Sequence, residues 1–146
     1  MKGSRDIMRI AVCDDDRVIR EELSRLIQKQ VSEADIAEYQ SGEELINAKV
    51  NFDIYFLDIE MGKVSGMDIA RHIREQEESG RQRSMIIFVT GYREYMEAAF
   101  DVNAFHYLIK PIDVEKFSEV FSRAWKETSV FYEQVEKYIM VKSSGA

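Results

Sequence analysis

Asp14 and Asp15 in "CDDD", Asp58 in "LDIE", Thr90 in "FVTG" and Lys110 in "LIKP" are polar residues that each close a short apolar run. Three carboxylates brought to one place would repel one another. A hard divalent cation such as Mg²⁺ relieves that repulsion through a few oxygen ligands while keeping water and phosphate oxygens in its shell. A lysine and a threonine beside such a cluster add a second cation and a hydroxyl donor, equipment for holding a phosphoryl group. Each residue alone is ordinary, because acidic residues at strand ends commonly face solvent or cap helices. The pattern carries the weight: four of five apolar runs end in a side chain able to bind a metal or a phosphoryl group.

For these residues to meet, the runs must be strands of one sheet. Short β-branched or apolar runs alternate with amphipathic segments, the pattern of a parallel sheet covered by helices. The strands are expected at Arg9–Cys13, Ile36–Tyr39, Asp53–Leu57, Met85–Val89 and Phe105–Ile109. Ile19, Leu23, Leu26 and Ile27 mark the apolar stripe of a first helix, and Met67, Ala70 and Ile73 that of a third. Ser41 with Glu44, and Ser65 with Asp68, have the spacing of helix-capping pairs. Five βα units fold most readily as a doubly wound α/β sheet, flavodoxin-like with strand order 2-1-3-4-5. Sites in such sheets form beyond the carboxyl ends of the strands, where the order reverses. Asp14, Asp15 and Asp58 end the first and third strands, which flank that point.

From Asp113 to about Tyr138 nothing breaks a helix, and at 1.5 Å per residue that run is roughly 39 Å long. Its C-terminal half is expected to project with an apolar stripe at Phe131, Val135 and Tyr138, and "YIMVKSSGA" to return to strand-like residues. The expected organisation is a leader over 1–7, a domain over 8–126, and a helix extension and linker over 127–146.

The chain has 146 residues, 45% of them hydrophobic, enough for one core and not for a second full domain. Its formal net charge of −7 sets the body against nucleic acid and anionic membranes. The single cysteine, Cys13, cannot form an internal disulfide, which fits a cytoplasmic protein. No apolar stretch reaches the roughly 18 residues of a membrane span.

The set Asp14-Asp15, Asp58, Thr90-Gly91, Tyr107 and Lys110-Pro111, present in order, resembles the receiver domain of bacterial two-component response regulators over Met8 to about Lys126. The resemblance implies that Asp58 accepts a phosphoryl group from a sensor histidine kinase and that Mg²⁺ is held by Asp15, Asp14, Asp58 and the Glu60 backbone carbonyl. Lys110 supplies a cation, Thr90 and Tyr107 form the switch, and Lys110-Pro111 is cis. "AAFDVNAFHYLIKPID" is similar to the subgroup joined to a LytTR-type DNA-binding domain, which implies a transcription regulator that dimerises on phosphorylation and reaches DNA only through a domain absent from this sequence. Gly62 stands where the family commonly has proline, and Glu60 and Tyr92 occupy positions that tune phosphate lifetime in the family. Alternatives are a stand-alone receiver, a Mg²⁺-dependent aspartyl phosphatase, which would want an aspartate in place of Glu60, and a nucleotide- or flavin-binding domain, for which the glycine-rich loop is lacking.

Overall fold

The computed structural model of the protein describes residues 8–77 and 83–144; the leader assigned to 1–7 lies outside them. The elements alternate: β1 (Arg9–Cys13), α1 (Arg17–Gln30), β2 (Asp35–Tyr39), α2 (Gly42–Ala48), β3 (Ile54–Leu57), α3 (Gly66–Glu77), β4 (Met85–Thr90), α4 (Met96–Asp101), β5 (His106–Ile109) and α5 (Val114–Ser144). All neighbours pair in parallel, in the order β2-β1-β3-β4-β5. The chain moves outward from β1 to β2 and then crosses back to β3, so the reversal falls between β1 and β3. Asp14 and Asp58 leave the sheet there, on either side of the gap.

Strand alternation divides the core into two layers. Ala11, Cys13, Tyr55, Leu57, Ile86 and Phe88 point toward α2, α3 and α4. Ile10, Val12, Ile54, Phe56, Ile87 and Val89 point toward α1 and α5, where Phe56 packs against Phe117 and Phe121 with ring centroids 5.4 and 6.1 Å away. Side chains buried to this degree contribute roughly 1.5–3 kcal/mol each. Both faces are covered, which is why β1, β3 and β4 are almost continuously apolar.

Local signals behave as their chemistry requires. Asp16 caps α1 by accepting from the Val18 N–H at 3.0 Å, and Ser41 caps α2 by accepting from the Glu44 N–H at 3.2 Å. Ser65 and Asp68 form the reciprocal pair at the start of α3, at 3.0 and 3.1 Å. Gly66, the first residue of α3, is required by closeness: a Cβ there would lie 2.1 Å from the Asp58 carbonyl oxygen.

Expected and observed strand limits agree within one residue, with one informative difference. Asp53 lies just outside β3, where its carboxylate accepts the Arg9 N–H at 2.8 Å and the Tyr132 hydroxyl. The tail expected to turn strand-like is instead helical through Ser144. A helix already nucleated and packed upstream adds one hydrogen bond per residue, and neither proline nor glycine interrupts it before Gly145, so the β-branched Ile139 and Val141 cannot redirect it. The helix is 31 residues, about 46 Å, long. It stays docked beyond Lys126: Thr128 is buried, and Tyr132 reaches Asp53 at the foot of the sheet.

Candidate functional site

The carboxyl ends of β1, β3, β4 and β5 converge on one acidic cleft. Asp14 is drawn in by its own backbone, whose N–H donates to the Tyr39 carbonyl at 3.1 Å while its Oδ1 accepts the Asp16 N–H at 2.9 Å. The Asp58 N–H donates to the Cys13 carbonyl at 3.0 Å, so β1 and β3 are zipped up to Asp58. Ligand oxygens of Asp14, Asp15 and Asp58 lie within 4.8 Å of one another. Asp14 and Asp58 are buried, and Asp15 is exposed at the mouth.

Lys110 enters from the end of β5, positioned by its N–H on the Thr90 carbonyl at 2.8 Å. Its Nζ donates to Asp14 Oδ2 at 2.8 Å and to Asp58 Oδ2 at 3.2 Å. The Lys110-Pro111 peptide is cis. The other Asp58 oxygen, Oδ1, accepts the Ile59 N–H at 2.7 Å. Burial raises the Asp14 carboxyl above its ordinary range, against the opposing hydrogen bonds from Lys110 and the Asp16 N–H. Burial alone would lower the Lys110 ammonium, but the hydrogen bond to Asp14 and the charges of Asp58 and Asp14 hold it above its usual value. Cys13, beneath the carboxylates, is pushed up to about 12 by burial and by Asp14 and Asp58, so it is an inert core thiol.

Thr90 is fully buried at the end of β4, and its hydroxyl accepts the Tyr92 N–H at 3.4 Å. Tyr107 is half-buried, with its ring centroid 6.0 Å from that of Phe88 and its hydroxyl donating to the Tyr92 carbonyl. Glu60, singled out for its carbonyl, has its side-chain carboxylate engaged elsewhere: Oε2 accepts the Tyr95 hydroxyl at 2.6 Å.

Of the seven residues expected at the site, Asp14, Asp15, Asp58 and Lys110 are brought together in the cleft, Thr90 ends the neighbouring strand, and Tyr107 and the Glu60 side chain engage Tyr92 and Tyr95. Sequence reasoning missed three others. Gly66 is a glycine at a helix start, where none is needed for helix formation, and that mismatch was the available signal. Arg20, in the first turn of α1, reaches back six residues to donate from Nη1 to the Asp14 carbonyl at 2.8 Å, a contact with no sequence pattern of its own, and Tyr95 carries no local signature because its partner, Glu60, lies 35 residues away on another loop.

The donor set tests well for Mg²⁺: hard oxygens only, among them two buried carboxylates that a single lysine must otherwise neutralise. The cleft is thus an acidic, cation-seeking site built from three carboxylates, on a doubly wound sheet at its reversal point.

Residues 10–122 match the family model of the response regulator receiver domain, and the chain belongs to that family. It is 34% identical over 122 residues to the sensory transduction protein LytT of Oceanobacillus iheyensis, covering 82% of this chain and 49% of that protein. Among solved structures it superposes on the BeF3-activated DrrB receiver domain with a TM-score of 0.72 at 26% identity, covering 82% of this chain and 98% of that one. It also superposes on the response regulator TrrA of Thermotoga maritima in complex with Mg²⁺-BeF, with a TM-score of 0.69 at 29% identity, covering 81% of this chain and 99% of that one. The chain spans about half the length of the curated relatives it matches. Among the described residues, no helix is long and apolar enough to cross a membrane.

Proposed function

We propose that this receiver domain accepts a phosphoryl group on Asp58 from a sensor histidine kinase and passes the change to an attached LytTR-type DNA-binding domain. The observation that carries the reading is Lys110 Nζ lying between Asp14 and Asp58 at 2.8 and 3.2 Å. That arrangement leaves a buried carboxylate nucleophile beside one cation, at the edge of an oxygen-only cluster. Asp15, Asp14, Asp58 and the Glu60 carbonyl would hold Mg²⁺, which when bound supplies positive charge to the phosphoryl oxygens.

Phosphoryl transfer asks the protein for positioning and charge neutralisation more than for covalent chemistry. An Asp58 oxygen attacks phosphorus as the bond from phosphorus to the donor nitrogen breaks, and the imidazole leaves with that electron pair. Lys110 keeps contact with the phosphoryl oxygens as they gain charge. The Thr90 hydroxyl then turns from the Tyr92 N–H to donate to a phosphoryl oxygen. Tyr107, tied to the Tyr92 carbonyl, follows the loop. The activity is confined to the domain's own phosphorylation and dephosphorylation. An aspartyl phosphatase would need Glu60 free as acid and base, and its carboxylate is held by Tyr95.

The exposed Phe100 and Met96 of α4 lie on the face that Tyr107 borders, the surface we assign to a homodimer formed on phosphorylation. A cytoplasmic location follows from the same reading, with DNA reached only through the attached domain. The test is labelling with acetyl phosphate and Mg²⁺ with sedimentation in beryllofluoride alongside. One hydroxylamine-labile phosphate is expected at Asp58, none in Asp58→Asn, with a shift to dimer. Undiminished labelling of Asp58→Asn overturns the reading.

A further inference from the structure

The two ends of α4 are held very differently. Of its residues only Ala99 is buried, whereas Met96 and Phe100 are exposed. No side chain caps its first turn, and Tyr95, the residue before it, is tied by one bond between exposed groups, its hydroxyl to Glu60 Oε2. The other end is built in. Val102 is buried, Asn103 takes the left-handed conformation at φ +52°, and the Ala104 N–H closes back onto the Ala99 carbonyl at 3.1 Å, a pattern that ends a helix. The Val102 and Asn103 carbonyls are then beyond the reach of the helix's own N–H groups. Arg74, in the last turn of α3, takes both: Nε donates to the Val102 carbonyl at 2.7 Å and Nη2 to the Asn103 carbonyl at 3.0 Å. Its Nη1 donates to the Ser84 carbonyl at 2.9 Å and to Glu77 Oε1 at 2.8 Å, and the other Glu77 oxygen accepts the Ser84 N–H at 2.8 Å. The Arg74 and Glu77 side chains are only 13% and 11% exposed, so water competes weakly for these charge-assisted bonds. One planar guanidinium therefore joins the end of α4 to α3 and to the residue before β4.

We propose that Arg74 is a positioning residue that pins the C-terminal end of α4, so that a change at Asp58 turns this helix about Val102 and Asn103 instead of shifting it whole. The inference rests on the phosphorylation reading above for what moves the β4–α4 loop. That loop leaves β4 at Thr90 and reaches the loosely held end of α4. From Met96 to Val102 the helix axis is about 9 Å long and from Asp101 to Val102 about 1.5 Å, so a turn about the pinned end carries Met96 about six times as far as Asp101. Met96 and Phe100 then change place at the surface while Val102 keeps its place in the core. Without the forked donors the end is held only by its own last turn, and motion of the loop passes into the whole helix. Lysine cannot substitute, because one ammonium on a flexible stem has no planar fork to span two carbonyls and Glu77 together.

The test compares wild type, Arg74→Lys and Arg74→Gln, each with a nitroxide attached through Glu97→Cys or Asp101→Cys; both positions are exposed, and the native Cys13 is buried and stays unlabelled. Spectra are taken before and after beryllofluoride with Mg²⁺, and phosphate uptake by Asp58 from acetyl phosphate is followed alongside. Amide hydrogen exchange is measured on the unphosphorylated proteins without the nitroxide. In wild type the probe at 97 is expected to respond to beryllofluoride and the probe at 101 to stay as it was. In Arg74→Lys both should respond, and exchange at 102–104 should quicken roughly ten- to a hundredfold, with the rest of the sheet unchanged and Asp58 still phosphorylated. Arg74→Gln should do the same; if it fails to fold, Arg74→Lys carries the test. A role in stability alone would quicken exchange throughout the domain and leave the two probes responding as in wild type, which would overturn the proposal. Probes at 97 and 101 that respond equally in wild type would do so too. Phosphate on Asp58 with both wild-type probes unmoved overturns this inference alone, whereas no phosphate and no response overturns the phosphorylation reading and this one with it.

Discussion

Removing the Lys110 ammonium while keeping its stem, as in Lys110→Met, leaves the Asp14 and Asp58 carboxylates facing each other without their shared donor. Their oxygens lie within 4.8 Å, and at an effective dielectric of about 20 two such charges repel by about 3–4 kcal/mol. The Asp14 side chain is 1% exposed and Asp58 8%, so water screens them poorly, although the Lys110 side of the pair is 22% open. Allowing for relaxation, for the partial exposure of Lys110 and for proton uptake by Asp14, the variant should lose about 2–3 kcal/mol at pH 7 in the absence of divalent metal, somewhat less than breaking a fully buried pair costs. For a chain of this size that is a fall in Tm of about 5–10 °C.

The loss should depend on pH with a definite sign. Asp14 already titrates above its ordinary value in the folded protein, and without Lys110 it moves further up. A carboxyl whose folded pKa is raised destabilises the fold at pH values above that pKa. The penalty recedes as pH falls through it toward the unfolded value, by up to about 1.4 kcal/mol per pH unit. The difference between wild type and Lys110→Met should therefore shrink between pH 7 and pH 5, and Asp14→Asn placed on Lys110→Met should recover most of it. Urea unfolding in EDTA at the two pH values measures this directly. A variant as stable as wild type at pH 7, or one equally destabilised at both pH values, would show that Lys110 does not neutralise this pair.

Two further substitutions probe how the fold holds the site. Gly66→Ala would drive a methyl group to 2.1 Å from the Asp58 carbonyl, so the start of α3 must move; at least about 2 kcal/mol of stability and most of the acceptor labelling should be lost by the same assays. Tyr132→Phe removes a hydroxyl from Asp53 while leaving the ring, and should cost about 1 kcal/mol and quicken hydrogen exchange in α5 beyond Thr128 with labelling of Asp58 intact.

That the strands lie parallel in one sheet, the two layers that cover it and the identity of the acidic cleft follow from local chemistry. Apolar runs such as Ile54–Leu57 have no stable place except between covered faces, and the polar residue ending each run must emerge at the same pole when all strands are parallel. Asp14, Asp15, Asp58, Thr90 and Lys110 were therefore readable as a group before any coordinate was known. What the chain could not disclose depends on distance between segments remote in sequence. β propensity at Ile139 and Val141 pointed to a strand, but a helix already docked through Thr128 and Tyr132 carries its neighbours along, and the tail is helical. Asp53 looked like the first residue of a strand until Arg9 and Tyr132 converged on its carboxylate. Glu60 looked free. Only the tertiary structure sets Tyr95, 35 residues away, against it, because hydrogen-bond partners between loops are chosen by where the sheet delivers those loops and not by any spacing along the chain.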